Sequence, residues 1–491
     1  MSPGTPQTVA VVGGGIAGLS AAWELVRAEP AVRVIVFEGD GRLGGKLRTG
    51  TFGGREVDLG PDAFVARRPE ALALCAELGL TEDLVAPGVR GASVWARGRL
   101  RPLPDGLALG VPTRFGPLLR SGICSPAGLA RPALDLLWPA RGTPGRGASG
   151  PGSPGGETES DLAVGGVVRR RMGAQVTSRL AGPLIGGIHA GNVDLMSAAA
   201  VFPALLEADR QRGSLMRALA ATLPARATTG ETPVFLTLRG GMGRLVDVLS
   251  RALVERGVEL RTGTTVGELG RLGPADDGPW VVGTDPVGGA GGGAGPEADG
   301  IVVAVPAPAA AHLLRPHDGA LADALETVTY ASVAIITFRF SAEAVGHPLD
   351  GSGFLVPRGE GAAPDPLVTA CTWLTSKWPE LARPGDVLIR ASVGRQGDDR
   401  HTSMSDDQLG RHCLDELGPM IDIRRPPDEV LVTRWPDAFP QYTVGHLSRV
   451  AAMEASAAGL PRLALAGAAL HGVGIPACIG SGRRAARAVL R

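Results

Sequence analysis

The segment from Thr8 to Glu38 leaves little freedom in what this chain can become. Thr8 to Val12 is a short β-branched run that ends in Gly13, after which Ile16, Leu19, Trp23 and Val26 recur at helical spacing and Val32 to Phe37 follows as a second strand. This is a βαβ unit whose first turn carries glycine-x-glycine-x-x-glycine, Gly13, Gly15 and Gly18, and whose second strand ends in an acid, Glu38. Each part has a mechanical reason. Gly13 permits the tight turn, Gly15 leaves room for a pyrophosphate against the backbone, and Gly18 lets the helix pack closely on the strand. The helix start supplies unpaired N–H groups and a partial positive charge. Glu38 is placed to accept hydrogen bonds from a ribose diol, and an acid rather than an arginine there speaks for FAD or NAD over NADP. A purely structural glycine turn is the alternative.

Composition matters here because glycine is so common that triplets arise by chance. Gly and Pro fill 113 of 491 positions, about twice ordinary usage. Such a ratio would suit disorder or a fibre, but 44% of residues are apolar and no three-residue glycine period exists, so the chain should fold. Charge is balanced, with 49 basic and 49 acidic residues, which removes any global field for nucleic acid. Of the basic residues only Lys46 and Lys377 are lysines; the rest are arginines, which stay protonated. Five scattered cysteines, none in a CxxC pair, predict a reducing cytosol. Met1 to Gln7 lack the basic start of an export signal, and the uncharged stretch Leu463 to Gly482 is interrupted by glycines and Pro476. The expectation is a soluble, cytoplasmic protein.

Further blocks repeat the strand and helix theme. Pro69 to Leu78 reads as a helix, and Phe235 to Arg239, then Leu245, Leu249, Ala252 and Leu253, then Val258 to Arg261, read as strand, helix, strand. Ile301 to Val305 is a buried strand, and Leu463 to Ala466 a strand before a helix that starts near Gly474 and runs toward Leu490. Between Val89 and Arg131 seven arginines face only Asp105. That run is either a solvated basic face or a surface for an acidic or membrane-delivered ligand. Residues 141–160 and 285–298 are rich in Gly and Pro without apolar period, and read as disordered or flexible loops.

These residues carry a resemblance. Arg42 to Lys46, Val57 to Pro61, Leu238 to Gly241 and Gly472 to Pro476, with Ala190 to Asn192, Thr369 to Trp373, Lys377 to Pro379, Val432 to Trp435 and Pro440 to Tyr442, resemble the FAD-dependent protoporphyrinogen and coproporphyrinogen oxidases, the Gram-positive coproporphyrinogen III branch above all. The match spans nearly the whole chain. It implies an α/β fold: an FAD-binding Rossmann-like domain with an interleaved α+β substrate domain, as in the amine oxidases. The expected segments are 1–85, 235–310 and 431–491 for the FAD domain and 86–234 and 311–430 for the substrate domain. The resemblance further implies flavin contacts at Gly13, Gly14, Gly15, Ile16, Ala17, Gly18, Glu38, Gly39, Lys46, Gly60, Pro61, Asp62, Ala63, Val266, Trp435, Ala468, Val473, Gly474 and Ile475. Where relatives place an arginine near a substrate propionate this chain has Ala92, so Arg97 or Arg114 is the expected substitute; Ile188 and Trp373 are candidate pocket walls, and equally candidate core residues.

The activity so implied is oxidation of a porphyrinogen to a porphyrin, removing six electrons in three two-electron flavin rounds with O₂ as acceptor and hydrogen peroxide as product. The hard chemistry belongs to the cofactor, and no metal is called for. His189, His446 and His471 form no ligand pattern and read as structural or pocket-lining. Lys46 either pairs with the FAD diphosphate or ribose, or handles a proton. Peripheral contact with a membrane or with another haem-pathway enzyme stays open, as does oligomeric state. Two other classes share the pattern: another amine-oxidase-fold flavoenzyme, and a flavin-free escort protein, which the intact glycine set and Glu38 argue against.

Overall fold

In a computed structural model that describes residues 7–137, 161–211, 213–223, 233–272, 278–286, 295–359 and 365–491, the opening segment folds as its pattern requires. Strand β1 (Thr8–Val12), helix α1 (Ile16–Ala28) and strand β2 (Arg33–Phe37) form the βαβ unit. β1 and β2 pair in parallel, and β1 is flanked on its other side by Gly300–Val303. The complete sheet runs in the order Glu259–Arg261, β2, β1, Gly300–Val303, Leu463–Leu465, all parallel. A parallel sheet is covered on both faces, which is why these strands read as nearly unbroken apolar runs. Three distant stretches of chain are therefore needed to complete one sheet.

The described residues divide into two compact units, the first within 1–86, 232–329 and 447–491, the second within 87–231 and 330–446. Two expected boundaries move. The reading that ended an FAD-domain segment at 310 cut through helix Ala307–Leu314, and the following helix Gly319–Glu326 also belongs to the first unit. The segment expected to begin at 431 starts instead at 447, because the long strand Glu429–Pro440 pairs along its length with Tyr330–Ser341 in the second unit. Helical and strand periods alone do not say which sheet an element joins.

The first unit also holds a small antiparallel sheet in which Phe235–Leu238 lies between Phe64–Val65 and Leu84–Val85. The strand before helix Gly243–Glu255 is thus outside the parallel sheet. The second unit is built on a seven-stranded sheet, Glu429–Pro440, Tyr330–Ser341, Asp386–Val393, Val368–Trp373, Gly353–Leu355, Ser93–Ala96 and Arg99–Pro102 in that order. A helical cluster beside it packs Leu118, Val168, Leu180, Ile185, Leu205 and Met216 into a core of its own.

The loop expected at 141–160 lies outside the described residues, as do 287–294 of the second expected loop. The ends of that second segment are ordered strand: Trp280–Pro286 and Glu297–Ala298 pair antiparallel. No helix among the described residues is long and apolar enough to cross a membrane.

Candidate flavin site

The glycine-rich turn shows why three of its residues have no side chain. Gly13 sits at φ +111, where a Cβ would press on the Ala304 carbonyl, and a Cβ on Gly18 would overlap the Gly13 carbonyl. Those two positions are closed by the protein itself. Gly15 differs, for a Cβ there would meet nothing within 4 Å. Its backbone is conventional and its space is open, so what the missing side chain leaves is a cradle above the start of α1. Gly15 is the N-cap of α1 and no side chain caps the helix. The first-turn N–H groups face that cradle.

Glu38 is tied to this turn through both oxygens. One accepts from the Gly14 N–H at 2.8 Å and the other from Asp40 N–H at 2.9 Å. Each carboxylate oxygen keeps a further lone pair for a ribose hydroxyl. Gly39 and Val266 are drawn to the same corner: Thr264 N–H donates to the Glu38 carbonyl at 2.8 Å, and Thr265 faces Gly39 closely. A bulge in the strand follows at Val266.

The turn from Arg42 to Leu47 closes the other side. Gly44 N–H donates to the Gly14 carbonyl at 2.8 Å, and the half-buried Arg42 guanidinium holds the loop by donating to the carbonyls of Gly45, Leu43 and Leu47 at 2.6, 3.2 and 3.4 Å. Burial pushes that guanidinium below its ordinary pKa, with Arg48 adding to the effect and Asp40 opposing it. Lys46 is exposed at the end of the loop. It acts electrostatically on Cys478, whose thiol burial pushes up to about 11. Lys46 and the first turn of helix Ile475–Val489 are therefore neighbours. That helix has Gly474 as N-cap and Pro476 in its first turn, and it packs along α1 so closely that a Cβ on Gly482 would overlap the Ala17 carbonyl. Val473 and Gly474 lead into the first turn of that helix, and Ile475 and Ala17 share one buried core against which Ile16 packs. Ala468 lies just past Gly467, whose N–H is held by Ser481 Oγ at 3.1 Å on the same helix.

Gly60, Pro61, Asp62 and Ala63 connect strand Arg55–Asp58 to Phe64–Val65. Asp58 was not singled out from sequence, yet its carboxylate accepts from Thr49 Oγ1 and Met242 N–H at 2.7 and 2.8 Å. Gly243 N–H donates to Thr49 Oγ1 at 2.9 Å, so these two side chains cap helix Gly243–Glu255. Arg42, quoted only as part of a motif, was likewise given no role. The acid after Val57 is visible in the sequence, but its partner Met242 lies 184 positions away; the partners of Arg42 are carbonyls of its own turn, which no side-chain pattern marks.

The remaining candidates lie in the second unit. Trp435 is on strand Glu429–Pro440, opposite Val333. Arg97 and Arg114 are exposed, and Ile188 is 49% exposed near the end of its helix. Trp373 is a correction: it is 1% exposed and packs on Phe354 and His347, so it is core and presents no wall to a ligand.

A family model for flavin-containing amine oxidoreductases matches residues 16–490. The chain belongs to that family. Over 98% of its length it is 35% identical to the coproporphyrinogen III oxidase of Propionibacterium freudenreichii subsp. freudenreichii, covering 90% of that protein. It is 32% identical to the coproporphyrinogen III oxidase of Bacillus subtilis (strain 168), over 99% of this chain and 98% of that one. A crystal structure of a provisionally named protoporphyrinogen oxidase from Exiguobacterium sp. 255-15 superimposes with a TM-score of 0.83 at 31% identity, covering 98% of both chains. The amine-oxidase fold and the flavin cofactor follow from this membership, and the open cradle at Gly15 with Glu38 beside it fits the dinucleotide half of FAD. Among the described residues no group of three or more His, Cys, Asp or Glu side chains is placed to hold a metal ion.

Proposed function

We propose that this chain is an FAD-dependent oxidase that converts coproporphyrinogen III to coproporphyrin III with O₂ as acceptor, as part of haem biosynthesis. The observation that carries the reading is full-length similarity to two coproporphyrinogen III oxidases at 32–35% identity, over both units. When bound, the flavin supplies two-electron acceptance from a substrate carbon, and three such rounds remove the six electrons that separate the two macrocycles.

The chain's own residues bind and orient. The N–H groups at the start of α1 would hold the pyrophosphate, and Glu38 would accept from the ribose while it keeps the turn in place. The N-terminal end of helix Ile475–Val489 carries a partial positive charge suited to a cofactor that gains negative charge on reduction. Gly60 to Ala63, Val266 and Ala468 complete the flavin contacts in this reading. Lys46 is exposed and near the same helix start, which supports pairing with an FAD phosphate or ribose rather than proton transfer. Lys46→Met is expected to weaken FAD binding about fivefold to tenfold while bound flavin is reduced at the normal rate; a large fall in that rate would restore a proton role. On the substrate side, Arg97 and Arg114 are exposed cations available to a carboxylate, and Ile188 an exposed apolar surface.

A second substrate, protoporphyrinogen IX, is favoured by the name of the Exiguobacterium structure. Supplying the two porphyrinogens separately and following porphyrin fluorescence with oxygen uptake decides between them. Turnover of neither would overturn the proposal. Five buried thiols without a disulfide support operation in a reducing cytoplasm.

A further inference from the structure

The seven-stranded sheet of the second unit delivers two chain segments to one end. Strands Gly353–Leu355 and Asp386–Val393 both pair antiparallel with Val368–Trp373, which lies between them, so the two point the same way. Arg358 follows three residues after the first strand and Gln396 three residues after the second. The segments meet there, for Arg358 Nη2 donates to the Gln396 carbonyl at 2.9 Å.

Gln396 in turn fastens this end of the sheet to helix Gly182–His189. Its N–H donates to the Ala190 carbonyl at 2.7 Å, and its Oε1 accepts from the Asn192 N–H at 3.4 Å. Ala190 closes that helix at φ 47°, a left-handed conformation that a residue with a side chain keeps only where its surroundings hold it. Gln441 adds to the hold by donating from Nε2 to the His189 carbonyl at 3.1 Å. Just before the helix end Gly187 approaches the sheet, where a Cβ would lie 3.8 Å from Leu355 Cδ2. Ile188, next in the chain, is exposed and Leu355 is half-buried. An apolar surface and a guanidinium are therefore tied to one helix end.

Arg358 has donors to spare. It is half-buried, it spends one N–H group on Gln396, and among the described residues it enters no ion pair. The carboxylates of the neighbouring loop are engaged elsewhere: Asp398 pairs with Arg400 at 2.7 Å and with Arg395 at 3.6 Å, and Asp365 accepts from the Gly359 N–H at 2.7 Å. Arg395 and Arg358 act on each other as like charges. A guanidinium fork at the edge of an apolar surface suits a carboxylate carried on an apolar ring.

We propose that Arg358, held by Gln396, receives a substrate carboxylate and sets a preference for coproporphyrinogen III, which carries four propionates, over protoporphyrinogen IX, which carries two. The inference rests on the porphyrinogen reading. Arg97 and Arg114 offer one cation to each of two carboxylates, so a further cation matters only to the macrocycle that has more. The test uses the FAD-loaded protein, with flavin absorbance confirming unchanged FAD content in each variant. Binding of coproporphyrin III, with four carboxylates, and of deuteroporphyrin IX, with two, is followed by fluorescence, and KM and kcat are measured for the two porphyrinogens. Arg358→Gln should weaken coproporphyrin III about tenfold and deuteroporphyrin IX by less than about twofold. The KM for coproporphyrinogen III should rise to match, with kcat unchanged. Arg358→Lys, which keeps the charge without the fork, should recover part of the loss. A purely structural role would weaken both porphyrins alike. An equal loss for the two, or no loss for either, would overturn the proposal. A parent protein that binds and oxidises neither macrocycle would overturn the porphyrinogen reading itself, and this proposal with it.

Discussion

Two covered arginines of the second unit, Arg171 and Arg101, meet opposite surroundings. Arg171 is 1% exposed, and its guanidinium reaches Asp135 at 3.2 Å and Asp209 at 3.4 Å, with a further bond to the Gly213 carbonyl. Asp135 also accepts from Ser214 Oγ and Met216 N–H at 2.8 and 3.2 Å. One cation thus ties together helices Pro126–Leu137, Val164–Met172 and Pro203–Arg210 and the start of Leu215–Thr222. Arg101, 8% exposed, has backbone for its acceptor and arginines for its charged neighbours. The same residue type is a closed structural knot in one place and an unfinished charge in the other. Burial of an arginine therefore says little until its counter-charges are counted.

The largest expected effect tests the closed knot. Arg171→Met leaves Asp135 covered without its cation and Asp209 with Arg170 alone, and should cost about 3–5 kcal/mol in chemical denaturation. Adding Asp135→Asn and Asp209→Asn should recover part of that loss, whereas a loss below about 1 kcal/mol would place Arg171 with Arg101. Next comes the glycine turn, suited to an anion by backbone N–H groups without any cation. Gly15→Ala puts a Cβ into the cradle, where it meets no protein atom within 4 Å, so FAD affinity should fall about 10–100-fold, about 1.4–2.7 kcal/mol, with the stability of the apoprotein changed by less than about 1 kcal/mol. Titrating FAD into the apo variant by flavin fluorescence measures this.

A smaller effect concerns charge that the fold refuses. Burial pushes His189, His347 and His401 below the ordinary histidine pKa; the Ile185 carbonyl and Asp350 oppose the shift in the first two, while Arg434 adds to it in the third. The folded pKa values lie below the unfolded value of about 6.5, so the unfolded chain binds the extra protons. Stability should be full above about pH 7 and fall as the pH drops through the unfolded value toward the folded ones. Urea midpoints at pH 7.5 and 5.5 measure the slope, and His189→Phe should flatten it. Smallest of all, Arg99→Gln should change stability by no more than about 0.5 kcal/mol, and in low salt the change should favour the variant. A loss above about 1 kcal/mol there would contradict the picture of like charges around Arg101.

The nucleotide corner was legible because its requirements are local. Gly13 and Gly18 answer to backbone conformation and close approach within one βαβ unit, and Glu38 ends the strand next to that turn. The same locality made the helix starting at Ile475 readable from Gly474 and Pro476. Asp58 was given no role for the opposite reason, since it is defined by Met242, 184 positions away. Trp373 was ambiguous as wall or core, because an aromatic residue in a strand has the same pattern in either role; only its neighbours Phe354 and His347 assign it to the core.

The sequence by itself determined the βαβ nucleotide unit, its preference for a cofactor with a free ribose diol, and through its long-range resemblance the flavin family. Short-range sterics and hydrogen bonding govern these features, and short-range rules can be read along a chain. Only the tertiary structure decided which sheet each later strand joins, where the two units divide, and which arginines in a chain with 47 of them meet a carboxylate. Coulomb energy depends on distance and covering in space, and neither has a period in the sequence.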